Sequence, residues 1–420
     1  MVKRTFGRFA AFKGGDTHKH AMIKNNALLL LLASPLLHAG TPEAVTPPAK
    51  KSEPWIKPTV DIRARYEFGD VDGFDPSHAF TTRERLGFKT APWHGLSLLV
   101  EGEFTQAWVD DYTSGDPGAD PVTPGNTVIS DPESNELNQA YLQYSAFDTT
   151  LKLGRQRIIY DNAAFIGNVG WRQNEQTFDA LSLTSTIVDD LTFNYAYIER
   201  ANRIFGSEAT GTNKDVTGDV HLLNLSYTGI KGVTLGSYAY LMDFDAPTGW
   251  DNNTFGISAK GKLCDILLYG ELAWQDDAGI ANDKEALYAH FSATKNVGTQ
   301  SFTLGVEHLD AGFQTPLATV HLYNGFADVF IGQRINGTLP GLTDVYFSHT
   351  VPIFYGIKWT NVLHAYGDNS VSTDLGWEYN SVLLKKFDDH FTAIAKLSHF
   401  ETESNNPTTT RFSVEMNYTF

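Results

Sequence analysis

The sequence has 420 residues, with 49 acidic and 32 basic side chains, a formal charge of −17 and a pI near 5.1. This acidic balance argues against nucleic-acid binding, and a single cysteine, Cys264, excludes a disulfide framework or a cysteine-based zinc cluster. A length of 420 residues ordinarily indicates two or three soluble domains. The abundance of aromatic residues and glycine, without long helical periodicities, points instead to an all-β chain.

An export signal opens the chain. Residues 1–21 are polar and basic, Lys24 follows a second methionine at Met22, and residues 27–37 form an apolar run that ends near the small residue Ala39. This layout predicts a secretory signal peptide over residues 1–39, too short to anchor in a bilayer. The true start is either Met1, with a long basic region, or Met22. Removal of residues 1–39 takes away six basic residues and one acidic residue and leaves a charge of −22.

Residues 40–57 are rich in Pro, Ala, Thr and Lys, which predicts a flexible periplasmic lead. From Thr59 onward, apolar and polar residues alternate over stretches of about ten residues, the pattern of transmembrane β-strands. In the first strand, one face carries Val60, Ile62, Ala64, Tyr66 and Phe68, and the other carries Asp61, Arg63, Arg65 and Glu67. A soluble secreted β-protein also alternates and is the alternative.

The connections between these stretches alternate between eight short turns and nine longer, acidic or Gly/Pro/Asn-rich loops. Seventeen connections predict about 18 strands, with both termini in the periplasm. The last strand ends at Phe420, which resembles the signal that the barrel-assembly machinery recognises. We therefore predict that residues 58–420 form a transmembrane antiparallel β-barrel in the outer membrane of a Gram-negative bacterium, in contact with its lipid. A barrel of this size encloses an aqueous lumen.

Basic residues are concentrated in the first half of the barrel. Alternation places Arg63, Arg65, Arg83 and Arg85 on the inward face, with Lys89 below them. Arg155 and Arg157 share the parity of Leu151 and Leu153, so an inward position requires a bulge near Gly154, and a position above the lipid band would equally explain them. The predicted pore-lining set is Arg63, Arg65, Arg83, Arg85, Lys89, Arg155, Arg157, Arg172 and Arg200.

Guanidinium groups bind carboxylates through paired hydrogen bonds, so this set suggests an anion-selective constriction. The alternative is that each arginine pairs with a nearby inward acid and braces the wall. The acids available for such pairing are Asp61, Glu67, Glu101 and Glu103.

Two long segments are unlike solvated loops. Residues 153–179 and 312–344 are dense in Asn, Gln, Gly and aromatic residues, and both enter from the outer side. We expect such segments to fold into the lumen and narrow it.

These two segments also carry motifs that resemble the alginate export family. The first contains Gly-Arg-Gln, Phe-Ile-Gly and Gly-Trp-Arg-Gln-Asn-x-Gln-Thr-Phe-Asp. The second contains Phe-x-Thr-Pro-Leu-Ala-Thr-x-His, Asn-Gly-x-Ala-Asp-x-Phe and Gly-Leu-x-Asp. The resemblance, which extends over the mature barrel from about Lys57, implies an eighteen-stranded barrel with an arginine-rich constriction through which alginate leaves the cell. It implies that Arg155, Arg157 and Arg172, with the four arginines of the first hairpin, contact the polymer.

The sequence thus predicts a passive channel for an anionic polysaccharide or acidic saccharide, with periplasmic secretion components as further partners. The alternatives are a porin importing small acidic solutes and a structural or adhesin barrel with a closed lumen. Catalysis is not expected, because no Ser/His/Asp spacing stands out among the scattered histidines. No cofactor is expected, except that Asp70-x-Asp-Gly-x-Asp75 and Asp243-Phe-Asp245 weakly resemble calcium loops.

Overall fold

A computed structural model describes residues 54–276, 285–369 and 374–420. The predicted signal peptide lies outside these residues. Eighteen antiparallel strands form one sheet: β1 (Ile56–Val71), β2 (Ser77–Thr90), β3 (Leu96–Asp111), β4 (Ser134–Ala146), β5 (Thr149–Gln156), β6 (Thr177–Ser185), β7 (Leu191–Asn202), β8 (Asp215–Ile230), β9 (Val233–Phe244), β10 (Asn252–Leu263), β11 (Ile266–Asp276), β12 (Glu285–Val297), β13 (Gln300–Leu309), β14 (Leu342–Pro352), β15 (Lys358–Gly367), β16 (Asp374–Lys386), β17 (Phe391–Thr402) and β18 (Thr409–Thr419).

The sheet is closed, since each strand pairs with the next and β18 pairs with β1 from Asp61 to Val71. Closure leaves no strand edge, so backbone N–H and C=O groups are satisfied where the wall faces lipid. The short turns lie at the end of the barrel where β1 begins and β18 ends, and the long connections lie at the other end. The predicted eighteen-stranded barrel is confirmed. Its first strand begins at Ile56, three residues before the alternation that the sequence shows from Thr59 onward.

Among the described residues, helical structure is confined to the connections. The α-helices are α1 (Gly211–Lys214) and α2 (Ile331–Ile335), and the 3-10 turns are Thr248–Trp250, Val320–Leu322 and Phe354–Gly356. Within the described ranges, none of these helices is long and apolar enough to cross a membrane.

The outward face of the wall forms an apolar belt. Ile257 and Leu304 expose 61% and 60% of their surface there. Exposed aromatic residues border the belt, with Trp359 near the periplasmic end and Trp377 near the outer end. Such a belt with aromatic borders matches the hydrocarbon layer and its two interfaces. The protein is therefore a transmembrane β-barrel, as the sequence predicts.

Neighbouring positions on β10 should respond oppositely to an added charge. Ile257→Arg places a charge on the lipid-facing belt and is expected to destabilise the barrel by roughly 2–4 kcal/mol. Ser258→Arg points inward, where it pairs in register with Glu271, and should be tolerated. Urea unfolding in lipid vesicles measures the stability of both variants. Equal losses of stability would contradict the assigned strand parity.

Two of the long connections fold into the lumen. We call residues 157–176 the first inward segment and residues 310–341 the second. Phe165 of the first packs against Phe313 of the second, with ring centroids 5.9 Å apart, and against Tyr288 of β12 at 5.1 Å. The lumen is thus divided: an apolar core fills it beside the later strands, whereas charged side chains occupy it beside β1–β5.

Candidate functional site

The first inward segment lies directly over the arginines of the first hairpin. Arg63 donates to the backbone oxygens of Gly170, Trp171 and Arg172 at 3.1, 2.8 and 3.1 Å. Arg65 also donates to the Trp171 oxygen. These bonds satisfy carbonyl groups of a segment that forms no β-sheet hydrogen bonds. The arginines therefore attach the segment to the wall.

The same arginines are paired with acids. Arg65 binds Asp131 at 2.9 Å and Glu415 at 3.2 Å. Arg83 binds Asp61. Arg85 binds Glu103 and lies 3.5 Å from Glu175.

All four hairpin arginines are at most 3% exposed. They point inward, as strand parity indicates, yet they lie beneath the first inward segment and not on a water-filled surface. The structure therefore supports the bracing alternative for Arg63, Arg65, Arg83 and Arg85.

Arg172, on the first inward segment, is also buried. Its guanidinium lies 3.2 Å from Glu67, 3.6 Å from Asp131 and 3.4 Å from Asp328. Since Glu67 belongs to β1 and Asp328 to the second inward segment, Arg172 joins the wall to both segments. It does not line the pore.

Among the arginines predicted to line the pore, Arg157 has a solvent-accessible side chain that faces the part of the lumen not filled by the inward segments. It is 32% exposed and pairs with Glu101 at 2.8 Å and with Glu175. Glu175 also accepts hydrogen bonds from Asn138 at 2.6 Å and Asn168 at 2.7 Å. Burial alone would raise the pKa of Glu175, but Arg157, Arg85 and these amides lower it to about 2.

Arg155 and Arg200 lie on the outer face of the wall. The β4–β5 register is continuous through Gly154, so Arg155 keeps the parity of Leu153, which is 60% exposed. Arg155 instead forms a two-pronged pair with Asp179 at 2.7 and 3.0 Å. Arg200 pairs in register with the same Asp179 and lies 3.9 Å from Asp215. The prediction that these two arginines line the pore is corrected, because both side chains are on the outward face, near the outer ends of β5 and β7.

Lysines also place positive charge in the lumen, and one of them was absent from the predicted set. Lys89 is inward and half-buried. Lys152 was missed, although it alternates with the outward Leu151 and Leu153 and so faces the lumen. Its Nζ lies 5.0 Å from the centre of the Tyr141 ring. Parity alone would have identified it.

The opposite wall carries tyrosines. Tyr238 and Tyr269 donate to Glu271 at 2.8 and 2.6 Å. Asn162, on the first inward segment, reaches the same carboxylate at 3.4 Å. In ring order β11, which holds Tyr269, lies nine strands from β2, which holds Lys89. The lumen therefore has a cationic side and a tyrosine-rich side.

The two inward segments also bind each other. Gly167 N donates to Leu317 O at 2.9 Å, and Trp171 stacks on His321 with centroids 3.4 Å apart. Burial lowers the pKa of His321 to about 3 against the opposing effect of Asp328, so the ring is neutral in this stack at neutral pH. The segments are therefore bound to each other, and both are attached to the wall by buried polar contacts, including those of the arginines.

Within the ranges that the structure describes, no group of three or more His, Cys, Asp or Glu side chains is arranged to hold a metal ion.

The alginate export family model matches residues 55–225, from β1 into β8, and includes the first inward segment. The resemblance inferred from the first motif is thereby confirmed over this part of the chain, whereas the second motif lies outside the matched residues. No curated protein sequence matches the chain.

Solved outer-membrane proteins have the same fold. Acinetobacter baumannii OccAB4 is 14% identical with a TM-score of 0.68, covering 88% of this chain and 99% of its own. Pseudomonas aeruginosa OpdK is 12% identical with a TM-score of 0.65, over 87% of this chain and 99% of its own. OpdO from the same organism is 11% identical with a TM-score of 0.66, over 87% and 97%. These likenesses concern the fold, and together with the family match they are those of an outer-membrane channel.

Proposed function

We propose that the protein is a passive outer-membrane channel for an acidic saccharide, with a uronate polymer of the alginate type as its cargo. The observation that carries the proposal is the two-sided lumen. Arg157 and Lys152 face it from one side, and Tyr269 faces it from the other. A uronate chain presents carboxylates and the apolar faces of its sugar rings, and it can meet both sides at once.

The charge pairs of Arg157 suit passage. A carboxylate of the cargo would share the guanidinium with Glu101 and Glu175, which are already bound to it. Competition from these fixed acids keeps the cargo weakly held, and conduction requires sites that release as readily as they bind. The match to the alginate export family supports the same cargo class.

The selectivity test uses the purified mature chain in a planar bilayer under a KCl gradient. We expect the reversal potential to show anion selectivity and oligouronate to block the current. Lys152→Gln should weaken the block by about threefold, because one luminal charge contact contributes roughly 0.7 kcal/mol. Arg155→Gln, on the outer face, is the control and should change neither quantity. A cation-selective wild type would overturn the proposal.

The second candidate is a porin for small acidic solutes. One solved structure of OpdK, 13% identical to this chain, holds vanillate. A porin of this kind would be saturated by monomeric uronate or aromatic carboxylates, and its current would be unaffected by oligouronate at the same concentrations. The same bilayer recordings, made with the monomer and the oligomer in turn, separate the two cargoes.

A further inference from the structure

The periplasmic end of the lumen has a charge pattern that is separate from the arginine network. Within the eighteen described strands, the last two inward positions at the periplasmic end of each strand include lysines and no aspartate or glutamate. We call these lysines the lysine belt: Lys57, Lys89, Lys152, Lys260, Lys262, Lys358 and Lys386.

The belt encircles the opening. Its members stand on β1, β2, β5, β10, β15 and β16, which are distributed around the closed sheet. On β10, the inward Lys260 and Lys262 alternate with the outward Ile257 and Leu263, which are 61% and 64% exposed. A chain threaded through the opening therefore meets ammonium groups from several directions.

Four of these lysines are at least partly accessible, and two of the four form exposed ion pairs. Lys260 is exposed, and Lys358 is half-buried. Lys262 lies 3.4 Å from Asp265 and Lys386 lies 3.3 Å from Asp389, in both cases a turn acid at least 80% exposed. Exposed pairs of this kind contribute at most about 1 kcal/mol and are screened by salt, so they do not prevent the lysines from binding an anion.

The outer end of the barrel has the opposite character. The first outer connection and the strand ends beside it carry Asp70, Asp72, Asp75, Asp110 and Asp111. The inward side chains nearest the periplasmic opening are thus basic, whereas the first outer connection is acidic, and such a charge asymmetry steers charged ligands toward one end.

We propose that the lysine belt is a capture site for a linear polycarboxylate arriving from the periplasm. Lysine is a flexible point charge, whereas arginine imposes a fixed bidentate geometry, so a ring of lysines holds a sliding polyanion without fixing its register. This inference rests on the proposed function and adds to it a side of entry and a set of residues. It predicts that the same oligouronate binds more tightly from one side of the membrane than from the other.

The test requires barrels of known orientation, and the chain supplies the marker. Cys264, the single cysteine, is exposed in the turn between β10 and β11 at the periplasmic end. A membrane-impermeant maleimide added to one chamber labels only barrels whose periplasmic end faces that chamber. Oligouronate block is then measured from each side of bilayers in which one orientation has been verified.

We expect oligouronate to block from the Cys264 side at a concentration about tenfold lower than from the opposite side, with the difference shrinking as KCl rises. Lys260→Gln, Lys262→Gln and Lys358→Gln combined should abolish the difference. The matched control is Lys231→Gln with Lys295→Gln, two periplasmic lysines outside the belt, one in a turn and one outward. Retained heat-modifiable migration in gels shows that each variant is folded.

Equal block from both sides of the wild type would overturn the belt while leaving the acidic-saccharide channel intact. Loss of the difference in the control pair would also overturn it, because generic periplasmic charge would then be the cause. Absence of block from either side would overturn both the belt and the proposed function.

Discussion

Glu175→Gln is expected to release the first inward segment and to increase single-channel conductance. Glu175 lies at the junction of Arg157, Arg85, Asn138 and Asn168, and it is 1% exposed. Removing one partner from a buried ion pair costs roughly 3–5 kcal/mol, because the remaining charges stay buried without compensation. The glutamine keeps the size of the side chain, so the loss is one of charge and not of packing.

Acidification should reproduce this effect in the wild type. The pKa of Glu175 lies at about 2, below its ordinary value of 4.5, so the folded state holds the carboxylate ionised. The stability that it contributes is present above pH 4.5 and is lost as the pH falls toward 2. We therefore expect the wild-type conductance to rise through this window, and a smaller rise in Glu175→Gln.

The matched control is Glu208→Gln, an exposed acid in the connection between β7 and β8. It removes the same charge from the chain without touching the buried network, so both conductance and urea unfolding should stay at wild-type values. If Glu175→Gln conducts like the control at neutral pH, the ion pairs do not hold the segment in place.

The fold could be read from the sequence because a barrel wall obeys a local rule. Successive side chains alternate between lipid and lumen, so the parity of Val60 and Asp61 in one strand already assigns both faces. The same rule placed Arg83 inward and contains the information that Lys152 and Lys260 face the lumen. It also pointed Arg155 outward, and the structure agrees with the parity rather than with the predicted pore role.

The site could not be read in this way because its contacts join distant parts of the chain. Strand parity says that Arg63 points inward, but not that backbone more than a hundred residues later covers it. The acids that neutralise Arg65 and Arg85 include Asp131 and Glu175, which belong to connections with no periodic pattern. Whether an inward arginine lines water or braces a loop depends on these long-range contacts.

Arg334→Leu is expected to detach the second inward segment. Arg334 is 1% exposed and binds Glu307 of β13 at 3.1 Å, Asn324 at 2.8 Å and Thr315 at 3.1 Å. Its substitution leaves Glu307 buried without a cation, at a cost of roughly 3–5 kcal/mol. Limited proteolysis should cut within residues 310–341 faster than in the wild type, and conductance should rise.

A second substitution identifies the cause. With Glu307→Leu added, the uncompensated charge disappears, and replacing both members of a buried pair by apolar residues is often close to neutral. The double variant should therefore recover most of the stability lost in Arg334→Leu, giving a coupling energy that urea unfolding can measure. Thr338→Leu, exposed on the same segment, controls for added apolar surface. Additive losses in the double variant would mean that Arg334 holds the segment through Asn324 and Thr315, so that the pair with Glu307 is not the attachment.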